Sequence, residues 1–185
     1  MHAGVGVDWG QNRSGHAFVA AGVTENFSRM VVLGARRLPA RGATPNDALR
    51  MLEGFCAEIA GRHGEIRAVC CDGAEQTMLN LVKRSTALPA RNARKRPIVD
   101  RIRMAVGLMA SGRLWFMAGA GAGALREFFR EARYKEGAER DERLDDGSYP
   151  VDAGDAFEYA IEAYMGRMAV GGVAAEDDEE DGGAV

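Results

Sequence analysis

Four aspartates carry the chemistry this sequence offers. Asp8 closes one short apolar run, Asp72 closes another, and Asp152 and Asp155 stand three apart late in the chain. A carboxylate at the end of a buried strand is costly to leave unpaired, so it needs a metal ion or a base. Residues three apart on a helix share a face, so Asp152 and Asp155 point the same way, and Tyr159 and Glu162 continue that face. Ala153, Ala156, Ala160 and Ala163 lie beside it, and such small residues let a helix approach a sheet closely. That approach would bring the helix acids to Asp8. Three or four converging carboxylates repel one another unless cations sit among them, and oxygen-only ligands favour magnesium or manganese over zinc. Each acid also has a plainer use. Asp72 suits a cap for a turn or for the following helix, Asp152 the N-cap of the last helix, and Asp155 a partner of its dipole. Glu75 and Glu158 read as solvated. The joint pattern, not any one residue, points to a site.

The elements that must position these acids follow from the apolar periodicity. Residues 4–15, GVGVDWGQNRSG, read as a buried strand, Asp8 at its end, and a turn permitted by Gly10 and Gly15. Residues 16–23 are the returning strand and 27–38 a third, most simply antiparallel. Thr44 and Pro45 open a helix whose apolar residues Leu49, Leu52, Cys56 and Ile59 should lie on the sheet. Residues 65–72, EIRAVCCD, repeat the first strand's logic, an apolar run ending in an aspartate. A helix over 74–84, a short extended segment over 88–95, a helix after Pro97, a strand over 113–117, a helix over 125–134 and a last helix over 151–168 complete the series. The order predicts a mixed α/β sheet, three antiparallel strands first and parallel strands after, flanked by helices.

The length of 185 residues suits one domain, taken as 1–170, followed by a disordered acidic tail over 171–185. The net charge of -3 hides an uneven spread: six acids fall in residues 176–181, and the remainder has 21 acidic residues against 24 basic ones. Three cysteines, Cys56, Cys70 and Cys71, read as buried thiols in a reducing cytoplasm, and no Cys or His pair has zinc spacing. No membrane span and no signal peptide are expected.

VGVDWG followed by a hairpin, an apolar strand ending CCD, and a late helix with DAFEYA together resemble the nuclease domain of the phage terminase large subunit, the DNA-packaging motor protein. The basic segment leading into a helix and a strand, NARKRPIVDRIRMAVGLMASGRLWF, is similar to that family too. The resemblance covers residues 3–168 and implies a ribonuclease H-like fold. It implies metal-dependent endonuclease activity, cutting concatemeric viral DNA during genome packaging. Asp8, Asp72 and Asp155 match the family's metal ligands, and Asp152 stands where a supplementary ligand or proton acceptor occurs. Two divalent cations, Mg2+ or Mn2+ and about 4 Å apart, would then clamp the scissile phosphate. The implied partners are double-stranded DNA and, in the full motor, an ATPase domain, the small terminase subunit and the portal. The expected location is the host cytoplasm.

The chain has no G-x-x-x-x-G-K-[ST] loop, so no ATPase is expected within it, and Met1 directly before the first strand suits an excised domain. The DNA surface should be basic. Lys83, Arg84, Arg91, Arg94, Lys95, Arg96, Arg101 and Arg103 crowd one window, with Lys95 the strongest candidate for a cation beside the scissile phosphate. Arg13, in the first turn, is a second candidate, and the charged loop 137–147 a possible gate to the groove. Three rival readings share parts of this pattern. They are a resolvase-like nuclease acting as a dimer on branched DNA, a sugar-kinase or actin-like nucleotide binder, and a non-catalytic module docking DNA or portal.

Overall fold

The computed structural model describes residues 2–10, 15–39, 42–133, 135–137 and 143–168. Arg13 and the acidic tail lie outside the described residues, and so does part of the 137–147 loop.

Among the described residues six strands form one sheet: β1 (His2–Asp8), β2 (Gly15–Val23), β3 (Met30–Pro39), β4 (Ile66–Cys71), β5 (Ala90–Asn92) and β6 (Leu114–Phe116). Their order across the sheet is β5-β4-β1-β2-β3-β6. β1, β2 and β3 are antiparallel neighbours, while β4 runs parallel to β1, β5 to β4 and β6 to β3. This is the predicted mixed sheet. The helices that flank it are α1 (Pro45–His63), α2 (Gln76–Ser85), α3 (Ile98–Ala110), α4 (Gly123–Glu131) and α5 (Val151–Ile161), with a 3₁₀ turn over Glu162–Tyr164.

Strand alternation sends the two sets of side chains to opposite layers. Val5, Val7 and Phe18 face α1 and α2, where Leu52, Phe55, Cys56 and Leu79 meet them. Ala17, Val19 and Ala21 face the other side, beneath α3, α4 and α5, with Leu108, Leu125, Phe128 and Phe157. Full burial of each large apolar side chain in these layers contributes about 1.5–3 kcal/mol. The three cysteines are free and buried.

α1 begins as its sequence dictates. The Thr44 hydroxyl accepts from the Asp47 amide (3.2 Å) while the Asp47 carboxylate accepts from the Thr44 amide (2.9 Å), a reciprocal cap with Pro45 at the first helical position. The last helix is shorter than predicted. Regular α-helix ends at Ile161 and tightens into the 3₁₀ turn, followed by turn structure to Met168. Among the described residues no helix is long and apolar enough to cross a membrane.

Candidate active site

Asp8 and Asp72 end adjacent parallel strands. Val7 is in register with Cys71, and the Asp72 amide donates to the Val7 carbonyl at 3.1 Å, so the two acids leave the sheet side by side. α5 crosses above β1 at very short range. A Cβ placed on Gly6 would stand 1.8 Å from the Ala156 carbonyl oxygen, so only glycine admits the helix there. Ala156 and Ala160 present the matching small surface, as their spacing predicts. This approach delivers Asp152 and Asp155 to the mouth of β1. Asp8, Asp152 and Asp155 line one open cleft of about 790 Å³ together with Arg37, Glu127, Asp145 and Asp146.

The electrostatics put Asp8 at the centre. Its pKa is pushed up to about 8, first by burial and then by Asp155, Asp72 and Asp152, with Lys95 opposing. All three other candidate acids therefore act on Asp8. Among the described residues no hydrogen bond or ion pair engages its carboxylate.

The other three acids are each held by a base. Lys95 Nζ lies 2.5 Å from Asp72 Oδ1, which also accepts from the Ala74 amide at 2.8 Å. Asp72 thus caps the turn at Gly73–Ala74 beside its ion pair, not the helix: α2 begins at Gln76 with Glu75 as its N-cap and no side-chain cap bond. Asp152 is buried; Arg37 Nε donates to both its oxygens at 2.9 and 2.8 Å, and the Gly15 amide reaches Oδ2 at 3.1 Å. Asp155 accepts from Arg143 Nη1 at 2.9 Å, and Arg101 Nη1 lies 3.7 Å away. Burial still raises the Asp155 pKa against these two arginines.

Two expectations need correction. Glu158 is not solvated: it is 1% exposed and sits between two guanidiniums, Arg101 Nη1 at 2.6 Å and Arg143 Nη2. It lies three residues beyond Asp155, on the face that meets α3, and burial lifts its pKa to about 7 despite both arginines. Arg101 is not on the basic surface. Its guanidinium is used on Glu158, Asp155 and the Arg96 carbonyl (3.1 Å), and it lies over the Tyr159 ring, so it ties α3 to α5 instead of facing a ligand. Arg91, Arg94, Lys95 and Arg96 are exposed, beside the Asp72 end of the sheet. Arg37 and Arg143 were not legible as site residues, because no local spacing connects them to acids 115 and 12 positions away.

The donor set fits a hard divalent cation in kind, being all carboxylate around an acid whose charge is opposed by its neighbours. Its arrangement here is charge-compensated: among the described residues no three acidic, histidine or cysteine side chains stand as a metal-holding group. Lysine and arginine supply the positive charge.

Comparison with solved structures decides the fold. The g2p large terminase nuclease domain from bacteriophage SPP1, solved with bound Mn, superposes with a TM-score of 0.63 at 15% identity, covering 89% of this chain and 88% of that one. The fold is that of phage large terminase nuclease domains. The terminase nuclease from thermophilic phage G20c with bound magnesium gives a TM-score of 0.61 at 16% identity, covering 87% of this chain and 80% of its own. A large terminase from another thermophilic bacteriophage, in complex with ADP, gives 0.70 at 15% identity, and this chain spans only 40% of that protein. No protein-family model and no curated protein matches the sequence.

Proposed function

We propose that this chain is a metal-dependent DNA endonuclease of the terminase type, cutting concatemeric viral DNA during packaging. The observation that carries the reading is the convergence of Asp72, Asp152 and Asp155 on Asp8. It occurs in the fold of nuclease domains solved with manganese or magnesium.

Asp8, Asp72 and Asp155 would hold two Mg2+ or Mn2+ ions, with Asp152 as a supplementary ligand or proton acceptor. Bound there, the cations would activate a water and stabilise the leaving oxygen of a phosphodiester. Asp8 takes the central place because three acids already oppose its charge. Lys95 and Arg143 keep Asp72 and Asp155 compensated, and on releasing them present free cationic groups toward a phosphate. Arg91, Arg94 and Arg96 follow the backbone of double-stranded DNA, and Arg13, outside the described residues, is a further candidate. Partners in a full motor would be an ATPase domain, the small terminase subunit and the portal, and the setting the host cytoplasm.

The test is nicking of supercoiled plasmid with manganese, wild type beside Asp8→Ala. Metal-dependent nicking by the wild type alone is expected. DNA binding without any nicking would replace this reading with a docking module. A strong preference for branched junctions would point to a resolvase-like nuclease.

A further inference from the structure

Lys95 adopts a backbone conformation that its residue type disfavours. Its φ is +48°, in the left-handed region that a non-glycine residue rarely adopts. Something must hold it there. The neighbouring Ala93 amide donates to the Cys71 carbonyl at 2.8 Å, and Ala93 packs with Ala68, Cys70 and Tyr159, which fixes the chain up to that point. Beyond it, one group takes over. The carboxylate of Glu162, 4% exposed, accepts from the Arg94 amide at 2.5 Å (Oε1) and from the Lys95 amide at 3.2 Å (Oε2). Two consecutive amides converging on one buried carboxylate form a clasp that extended backbone does not present.

We infer that Glu162 is a positioning residue: by clasping the amides of Arg94 and Lys95 it holds Lys95 in the left-handed turn that sends its ammonium to Asp72. The ammonium ends 2.5 Å from Asp72 Oδ1, and Lys95 bears on Asp8 as well. Glu162 opens the 3₁₀ turn that continues α5, so one continuous segment carries Asp152, Asp155 and the clasp. The separation of candidate acids from the basic segment is then set by a single rigid piece. Glu162 is no ligand of the proposed cations and touches no reacting atom; it acts through Lys95. The inference deepens the nuclease reading and rests on it for its functional meaning.

The full chain tests it by two independent readouts. In the metal-free protein, the Cα and Cβ chemical shifts of Lys95 report its backbone region, and the amide shifts of Arg94 and Lys95 report the clasp. Glu162→Gln keeps one acceptor and the side-chain size, and Glu162→Ala removes both. Glu162→Ala should move Lys95 out of left-handed shifts and both amides upfield, with Glu162→Gln between. Unchanged shifts in both variants overturn the inference, and Glu162→Gln alone decides it should Glu162→Ala not fold. The second readout is a double-mutant cycle with Lys95→Ala on manganese-dependent plasmid nicking. Glu162→Ala should lower the nicking rate about tenfold in the wild type and less than twofold in Lys95→Ala. Equal losses in both backgrounds would mean a merely structural role. Should the wild type nick no DNA, the nuclease reading falls, while the shifts still decide the clasp.

Discussion

Replacing Asp8 by Asn should stabilise the metal-free protein, and more so as the pH rises. Asp8 is an acid whose pKa goes from 3.8 to about 8 on folding, with burial the main cause and three acids the rest. The folded state therefore binds its proton more tightly than the unfolded one. Below pH 3.8 both states are protonated and no penalty exists; between 3.8 and about 8 stability falls as pH rises; above 8 the loss is constant. At pH 7 about three pH units of this window are expressed, each worth about 1.4 kcal/mol, so the ceiling is about 4 kcal/mol. Water in the open cleft screens the charge, and about half, about 2 kcal/mol, is the working figure. For a domain of this size that is about 4–8 °C in Tm. The measurement is thermal unfolding by circular dichroism in EDTA from about pH 5 to 8.5, wild type beside Asp8→Asn. The amide has its own burial cost, but that cost does not change with pH, so the widening of the gap is decisive. A gap that stays constant across this range, or a variant that loses ground to the wild type as the pH rises, refutes the reasoning. Manganese should raise the wild-type Tm and leave the variant nearly unmoved.

Further outcomes follow from particular contacts. Gly6→Ala sets a methyl against the Ala156 carbonyl and should cost about 3 kcal/mol or more, read by urea unfolding, with Gly4→Ala much milder because its nearest atom is 3.2 Å away. Arg143→Ala leaves Glu158 and Asp155 with Arg101 and should destabilise the protein by about 3 kcal/mol at about pH 8. The loss should shrink well below pH 7, where Glu158, with its raised pKa of about 7, is protonated. The same variant should bind manganese more tightly by calorimetry, since Arg143 competes for Asp155. Thr44→Ala removes one half of the α1 cap and should cost about 1 kcal/mol in chemical unfolding.

Much of the frame was legible because it rests on local rules. Apolar runs ending in Asp8 and Asp72 became neighbouring strands, and the alanines of α5 met a glycine strand, since burial and close approach leave few alternatives. The antiparallel start and parallel continuation followed from short and long connections. What the sequence concealed was the pairing of charge. Arg37 and Arg143 reach Asp152 and Asp155 through space, and an arginine in a charged stretch carries no mark of its partner. Glu158 looked solvated because its burial depends on α3 and Arg143 closing over it, a tertiary event. Arg101 was indistinguishable in sequence from its exposed neighbours for the same reason.

These concealed partners explain how such a chain folds with four acids at one end of its sheet. Four acids brought to one cleft without compensation would oppose folding, because each added charge raises the cost of the next. Lys95, Arg37, Arg143 and Arg101 neutralise Asp72, Asp152, Asp155 and Glu158 in place. Among the four candidate aspartates, Asp8 is left to carry the residual repulsion, which together with burial holds its pKa well above the usual carboxylate range. In the proposed nuclease the basic residues and the cations would then be alternatives for the same carboxylates. Raising the pH removes the proton from Asp8 and so favours the cation there. Manganese affinity in the proposed nuclease should accordingly increase from about pH 6 to about pH 8.5, by up to about tenfold per pH unit while Asp8 remains protonated. Calorimetric titration measures it directly, and an affinity independent of pH across that range would mean that Asp8 is already ionised and held by some other charge.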